Sequence, residues 1–369
     1  KKATMIRSLS PYYVTTPLSS PNTGLVCTSY TLYIKVWSGL VTSPPSTASY
    51  QITKDNNSGL GFGVANDKIN ISRIVNDFIE FEPQSGSSTT ILNGENQKWV
   101  QTYTTYETTD PADSTTAQNI STELMCLGYS YGNEGVNNDI SSPTILIPAQ
   151  EYKVYRDGIF IVPILLNESG TGNSPVTIES FPTNEIDLTF IIADTTNSDN
   201  LVKYIWVDVS EALTDTSIEV TYTTGLKGNK VNLYIEDECK YTPIDICFQN
   251  KDGALQNVTF FKERIERMAT DSSQFERSGL QPSAGFHQFV RFDVQGRTSF
   301  SANSGYIDES SNEVFRQLLL SERIYIYEND QFTPINISSK SITYKTRQKE
   351  RLINYDLNFD YSYNQINNI

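Results

Sequence analysis

Apolar and polar side chains alternate along much of this chain, and the cleanest alternation lies near its end. Ile353, Tyr355, Leu357, Phe359, Tyr361 and Tyr363 are interleaved with Asn354, Asp356, Asn358, Asp360 and Ser362. Successive strand side chains point to opposite faces, so this run predicts a long half-buried strand with one aromatic-aliphatic face. The pattern does not say whether that strand joins its own subunit's sheet or a neighbour's. A second clear strand places Tyr30, Leu32, Ile34 and Val36 on one face, with Thr31, Tyr33, Lys35 and Trp37 on the other.

The middle of the chain continues in the same way. Thr144–Ile147, Ile159–Leu166, Ile186–Ile192, Val202–Val209, Ser217–Thr223 and Val231–Ile235 each read as a strand, with a turn at Gly225–Asn229 between the last two. Pro163 marks the second of these as an edge or bulged strand, because proline cannot donate to a ladder. Further alternation at Ile244, Ile246 and Phe248, at Val290, Phe292 and Val294, at Ile324–Tyr327 and at Ile342–Tyr344 extends the series. Leu255–Met268 fits either a strand or a helix. Gln101–Thr122, rich in Thr, Ser and Asp, reads as an exposed loop or insertion.

Two segments have helical spacing. Ile71, Ile74, Val75, Phe78 and Ile79 fit a short amphipathic helix with Asn70 as its N-cap. Ser310-Ser311-Asn312-Glu313 matches a capping box opening a helix through Val314, Phe315, Leu318 and Leu319. The expected fold is therefore mainly β: two or more antiparallel sandwich or barrel domains with a few short helices packed on them. At roughly 100–200 residues per domain, 369 residues divide into two or three. The expected divisions are residues 1–168, 176–238 and 239–369, with the Asn167–Pro175 stretch as the linker.

Composition supports folding and narrows the partners. The 22 Tyr and 17 Phe supply bulk that disordered chains lack. A net charge of −15 opposes binding to nucleic-acid phosphates, so no direct nucleic-acid binding is expected. Lys345, Arg347, Lys349 and Arg351 would share one face of an extended segment, where a solvated edge is a stronger reading than an acidic partner's contact. No apolar run reaches the ~20 residues of a membrane-spanning helix, and no signal peptide is expected. Cys27, Cys126, Cys239 and Cys247 are too sparse for a disulfide framework and read as buried free thiols, with a Cys239–Cys247 bridge the weaker alternative.

Catalytic equipment is thin. His287 is the single histidine, and Gly285, Phe286, Gln288 and Phe289 around it offer no acid or thiol, so it reads as structural. Gly59-Leu60-Gly61-Phe62-Gly63 lacks the Lys-Ser/Thr of a phosphate loop. Asp194, Asn197 and Asp199, and likewise Glu236, Asp237 and Glu238, lack the spacing of a calcium loop and read as polar turns. Trp37, Trp99 and Trp206 are candidates for stacking on sugars, with core or interface packing the stronger reading. No catalytic, cofactor or metal residue is assigned.

Two stretches carry a resemblance. One is Ile69–Ile79. The other, in the C-terminal third, comprises Cys239–Pro243, Phe248–Gln256, Ser311–Glu322 and the terminal strand out to Ile369. On these phrases the chain resembles tail or baseplate structural proteins of tailed bacteriophages, especially those infecting Bacteroidetes-type hosts. The resemblance implies a multi-copy virion component assembled in the bacterial cytoplasm. Its partners would be further copies of itself and other tail proteins, and it would perform no catalysis. The alternative expectation is a host-surface carbohydrate-binding adhesin or fibre component.

Overall fold

A computed structural model describes residues 4–16, 27–55, 67–86, 91–94, 96–108, 118–134, 140–141, 144–165, 176–181, 190–192, 202–210, 215–222, 227–237, 240–277, 287–341 and 353–366. Their architecture is mainly β, with several antiparallel sheets and few short helices. The first large sheet runs β4 (Tyr50–Asp55), β3 (Cys27–Trp37), β7 (Gln97–Thr108), β8 (Gln118–Cys126), β1 (Thr4–Arg7) and β9 (Ile140–Ser141). All its pairings are antiparallel except β1 with β8. A two-stranded ribbon, β2 (Tyr13–Thr16) with β5 (Asp67–Asn70), leads into α1 (Ser72–Asn76).

Residues 101–108 and 118–122, expected in an exposed loop, instead continue β7 and β8. Thr102 and Thr104 are buried and alternate with half-buried neighbours. Threonine is β-branched and suits a strand even where it reads as polar.

A small sheet stands between two cores. Its order is β10 (Thr144–Ile145), β12 (Ile159–Leu165), β15 (Val202–Asp208) and β6 (Ile91–Asn93). Phe160, Val162, Ile164, Ile205 and Val207 face one core, while Ile161, Leu165, Val202, Tyr204 and Trp206 face the other. Burial on both faces explains the unbroken apolar run of β12. Contrary to expectation, Pro163 does not sit on an edge strand. It faces Tyr204 on one side, and the Leu146 amide donates to its carbonyl at 2.8 Å on the other, just past the end of β10. The missing N–H costs little there because the facing Leu146 carbonyl accepts instead from the Asn250 side chain at 2.6 Å.

A five-stranded sheet, β11 (Glu151–Tyr155), β17 (Lys227–Glu236), β16 (Thr216–Tyr222), β13 (Val176–Phe181) and β14 (Phe190–Ile192), adds Tyr152, Val154, Val231 and Leu233 to the first of these cores. The same core is closed by a seven-stranded sheet. Its order is β19 (Leu255–Phe260), β18 (Ile244–Gln249), β22 (Ile324–Glu328), β23 (Gln331–Ile337), β24 (Asp356–Tyr361), β21 (Phe289–Asn303) and β20 (Arg264–Glu276). Leu255–Met268, which fitted strand or helix, is thus strand on both sides of a short break.

The terminal strand lies inside its own subunit, between β23 and β21. Ile353, Tyr355, Leu357, Phe359 and Tyr361 are buried as the alternation requires, and Tyr363 emerges to the surface. Helix α2 (Asn312–Leu320) lays Val314, Phe315 and Leu318 on this core, with the Phe315 ring 4.8 Å from that of Tyr355. The expected capping box does not form. Ser311 makes no side-chain cap, and the Asp308 carboxylate accepts from the Ser310 amide one turn earlier. Glu313 instead accepts from the Tyr131 hydroxyl at 2.6 Å. Near α1, Asn70 does accept from the Ser72 amide at 3.1 Å, but it precedes the cap position, which Ile71 occupies.

Candidate interaction surface

Strands β20 and β21 form a hairpin much longer than the sheet it edges. Their register runs from Arg264 opposite Ala302 to Glu276 opposite Phe289. Strand β24 pairs only with Ser299–Asn303 of β21, and the chain after it reaches as far as Gly296, where the Gln365 amide donates to the Gly296 carbonyl at 2.7 Å. Beyond Gly296 the hairpin continues as a two-stranded arm. An irregularity in the pairing falls between Asp271 and Ser273, and Asp293 opposite it holds φ at +52°. Such a bulge strengthens local twist.

The root of the arm is well anchored. Arg264 pairs with Glu328, donates to the Tyr361 hydroxyl at 2.7 Å and lies 4.8 Å from the centre of the Phe300 ring. Further out the side chains lose cover. Met268 is 60% exposed, Phe289 59%, Phe292 49% and Phe275 47%. The rings of Phe275 and Phe292 meet at 5.7 Å, and Arg291 reaches Ser272 across the ribbon. A two-stranded ribbon is marginal alone in water, and exposed aromatic groups of this kind mark contact surfaces. Sequence reasoning missed this arm because exposure on both faces removes the period-two signal from β20.

Beside the arm's root lies a groove of about 350 Å³, lined by Tyr241, Glu263, Asn303, Tyr306, Asn354 and Asp356 among others. Tyr306 is 59% exposed. The groove combines aromatic faces with amide and carboxylate groups, the chemistry that packs on and hydrogen-bonds a sugar.

No family model and no curated protein matches this chain. Among solved structures, the chain is similar to a tri-modular endo-β-1,4-glucanase of glycoside hydrolase family 5 from Bacillus licheniformis and to the same enzyme complexed with cellotetraose. Each likeness has 12% identity and a TM-score of 0.17 over 61% of this chain. The chain spans 38% of the length of that glucanase. A TM-score this low carries no argument about fold or activity.

The residues singled out from sequence lie apart from one another. Trp37, Trp99 and Trp206 are all buried, so none forms an exposed sugar platform. Trp37 faces Trp99 across β3 and β7, and the Trp206 ring packs against Tyr327 and Phe332. His287 is exposed at the far end of the arm, just before its returning strand β21. Glu236 pairs with Lys153 and Asp237 with Arg156, so both are engaged in surface ion pairs. Among the described residues no cluster of three or more His, Cys, Asp or Glu side chains fits a metal ion. Cys126 and Cys247 are buried free thiols, and burial pushes Cys126 up to about 12 and Cys247 well above its usual value. Thiols so protonated are poor nucleophiles. Gly59–Gly63, Asp194, Asn197, Asp199, Glu238, Cys239 and Lys345–Arg351 lie outside the described residues, as do the Asn167–Pro175 stretch and Ile342–Tyr344.

Polar side chains with a clear geometric task are structural. Asn250 donates to the Leu146 carbonyl at 2.6 Å and accepts from the amides of Asp252 and Ala254 at 3.0 Å. Gly253 in that turn holds φ at +74°, and a Cβ there would stand 2.7 Å from the Leu127 carbonyl carbon. Arg7 pairs with Asp252 at 2.8 Å, fastening β1 to the same turn. Asp245 accepts from Thr259 at 2.6 Å, and its burial raises its pKa.

Proposed function

We propose that this chain is a non-catalytic structural component of the tail or baseplate of a tailed bacteriophage, present in multiple copies and acting through contacts with itself and neighbouring tail proteins. The observation that carries the contact role is the β20–β21 arm, whose Met268, Phe275, Phe289 and Phe292 each stay about half exposed or more. The phage setting rests on the resemblance of Ile69–Ile79 and of the C-terminal phrases, and a virion location is part of the same proposal. Among the described residues no helix is long and apolar enough to cross a membrane. Light scattering on the purified chain tests the reading. A mass several times 41.5 kDa, constant on dilution, with a ring or fibre in micrographs, is the expected result. A monomer that also fails to co-purify with other tail proteins would sink it.

The groove at the root of the arm favours a second reading, recognition of a host-surface glycan. Its test is a glycan panel with the intact protein and with Tyr306→Ala. Binding lost in the variant supports a glycan role, and no binding by the intact protein removes it.

A further inference from the structure

The outer edge of β20 meets no other strand among the described residues, although the strand is 13 residues long. At about 3.3 Å per residue that is roughly 40 Å of unpaired backbone donors and acceptors. The charge on this hairpin is unlike that of the chain. Its two strands carry Arg264, Arg267, Arg291 and Arg297 against Glu266, Asp271, Glu276 and Asp293, a neutral balance in a protein of net charge −15. Arg267 and Asp271 are both exposed, and neither has an ionic partner among the described residues. Four positions apart on a strand, they share a face but stand too far apart to pair with each other.

We infer that this edge pairs antiparallel with β20 of a second copy of the chain, about a twofold axis at Ala269. A twofold contact of this kind is self-complementary, so each residue pair occurs twice. With Ala269 on the axis, Arg267 of each copy lies opposite Asp271 of the other, both within β20. Neighbouring registers fit less well. An axis at Met268 brings no opposite charges together, and one at Asp271 sets Asp271 against itself and Glu266 against Glu276. An axis at Thr270 brings Arg264 to Glu276 and Glu263 to Arg277, but Arg264 is already held by Glu328 and Tyr361, Glu276 already accepts from Gln288, and Glu263 and Arg277 lie beyond the ends of β20. The pairing extends each seven-stranded sheet into a continuous sheet across two subunits and doubles the support of two arms that are weak alone. It rests on the multi-copy reading above and names the surface that serves it.

A charge-swap cycle read by light scattering tests it. Arg267→Asp places Asp against Asp, and Asp271→Arg places Arg against Arg. Each single variant is expected to shift the wild-type mass down by half, or to weaken self-association at least tenfold, with an unchanged circular dichroism spectrum. Mixing the two single variants in equal amounts, or combining both swaps in one chain, is expected to restore the wild-type mass. Ala269→Cys is expected to give a disulfide-linked dimer under mild oxidation, while Ser301→Cys on β21 gives none. A wild-type assembly untouched by the single swaps, or a mixture that does not recover, overturns the edge pairing and leaves the multi-copy reading standing. A wild-type chain that is monomeric at every concentration also overturns the pairing, and the multi-copy reading then stands or falls on co-purification with tail proteins.

Discussion

The seven-stranded sheet has two edges, and they are treated in opposite ways. At one end β19 is covered: Leu255, Gln256, Asn257, Thr259 and Phe260 are all buried. At the other end β20 is exposed for nearly its whole length. Cover at the first edge comes from side chains that bond another strand's backbone. Asn257 accepts from the Ile161 amide at 2.9 Å and donates to the Ile159 carbonyl at 2.7 Å, and Gln256 donates to the Tyr152 hydroxyl at 3.0 Å. The second edge carries charges instead, a common way to keep an edge from pairing indiscriminately. One edge is covered with polar partners and the other is left long, aromatic and charge-balanced; on the reading proposed above, the first serves stability and the second contact.

Substitutions should separate those two tasks. The largest effect is expected at Phe260→Ala, since Phe260 packs edge-on against both Phe315 and Phe359. Loss of about 3–5 kcal/mol in chemical denaturation is expected, the usual cost of a buried aromatic. A change under 1 kcal/mol would mean that the covered edge is not anchored as described. Asn257→Ala strips the partners from the Ile161 amide and the Ile159 carbonyl, at about 1–3 kcal/mol for each buried group left unmade. The same denaturation experiment reads it, and a neutral result would show that water replaces the amide there.

Asp245 sharpens the contrast through pH. Burial raises its pKa above that of the unfolded chain, so the folded state holds its proton more tightly. The stability linked to that proton is fully present below the usual carboxylate range and is lost as pH rises through the raised folded value. Asp245→Asn, which cannot ionise, should therefore gain stability relative to the parent as pH rises from acid to neutral. Melting temperatures across that range measure the crossover, and parallel curves would exclude it.

The smallest effect is expected on the exposed edge. Met268→Ser or Phe292→Ser should change the stability of the isolated subunit by no more than about 0.5 kcal/mol, as surface changes usually do. The same substitutions should reduce self-association seen by light scattering. A large loss of stability with no change of mass would reverse the assignment of the two edges.

Much of the fold was legible where one face of a strand is wet and the other dry. The terminal strand is the clearest case, because Leu357 and Phe359 bury while Asn358 stays exposed. Legibility failed where that contrast was absent. Strand β7 hides Thr102 and Thr104 inside a sheet, so its polar letters suggested a loop. Strand β12 is dry on both faces, which left Pro163 as the only punctuation and made an interior strand resemble an edge. Strand β20 is wet on both faces and offered no period at all.

The sequence by itself determined the β character, the second helix and the alternating faces of the strands, because side-chain period is a local property of the backbone. It also showed a lone histidine and scattered thiols in a chain of strong negative charge. Tertiary structure decided which edges are covered, that the terminal strand pairs within its own subunit, and that the three tryptophans are buried. Those outcomes depend on which distant segments meet: Asn257 finds β12 across 96 residues of chain, and no strand pairs with the outer edge of β20 among the described residues. Local pattern selects the strand, but only the packed molecule selects its neighbours.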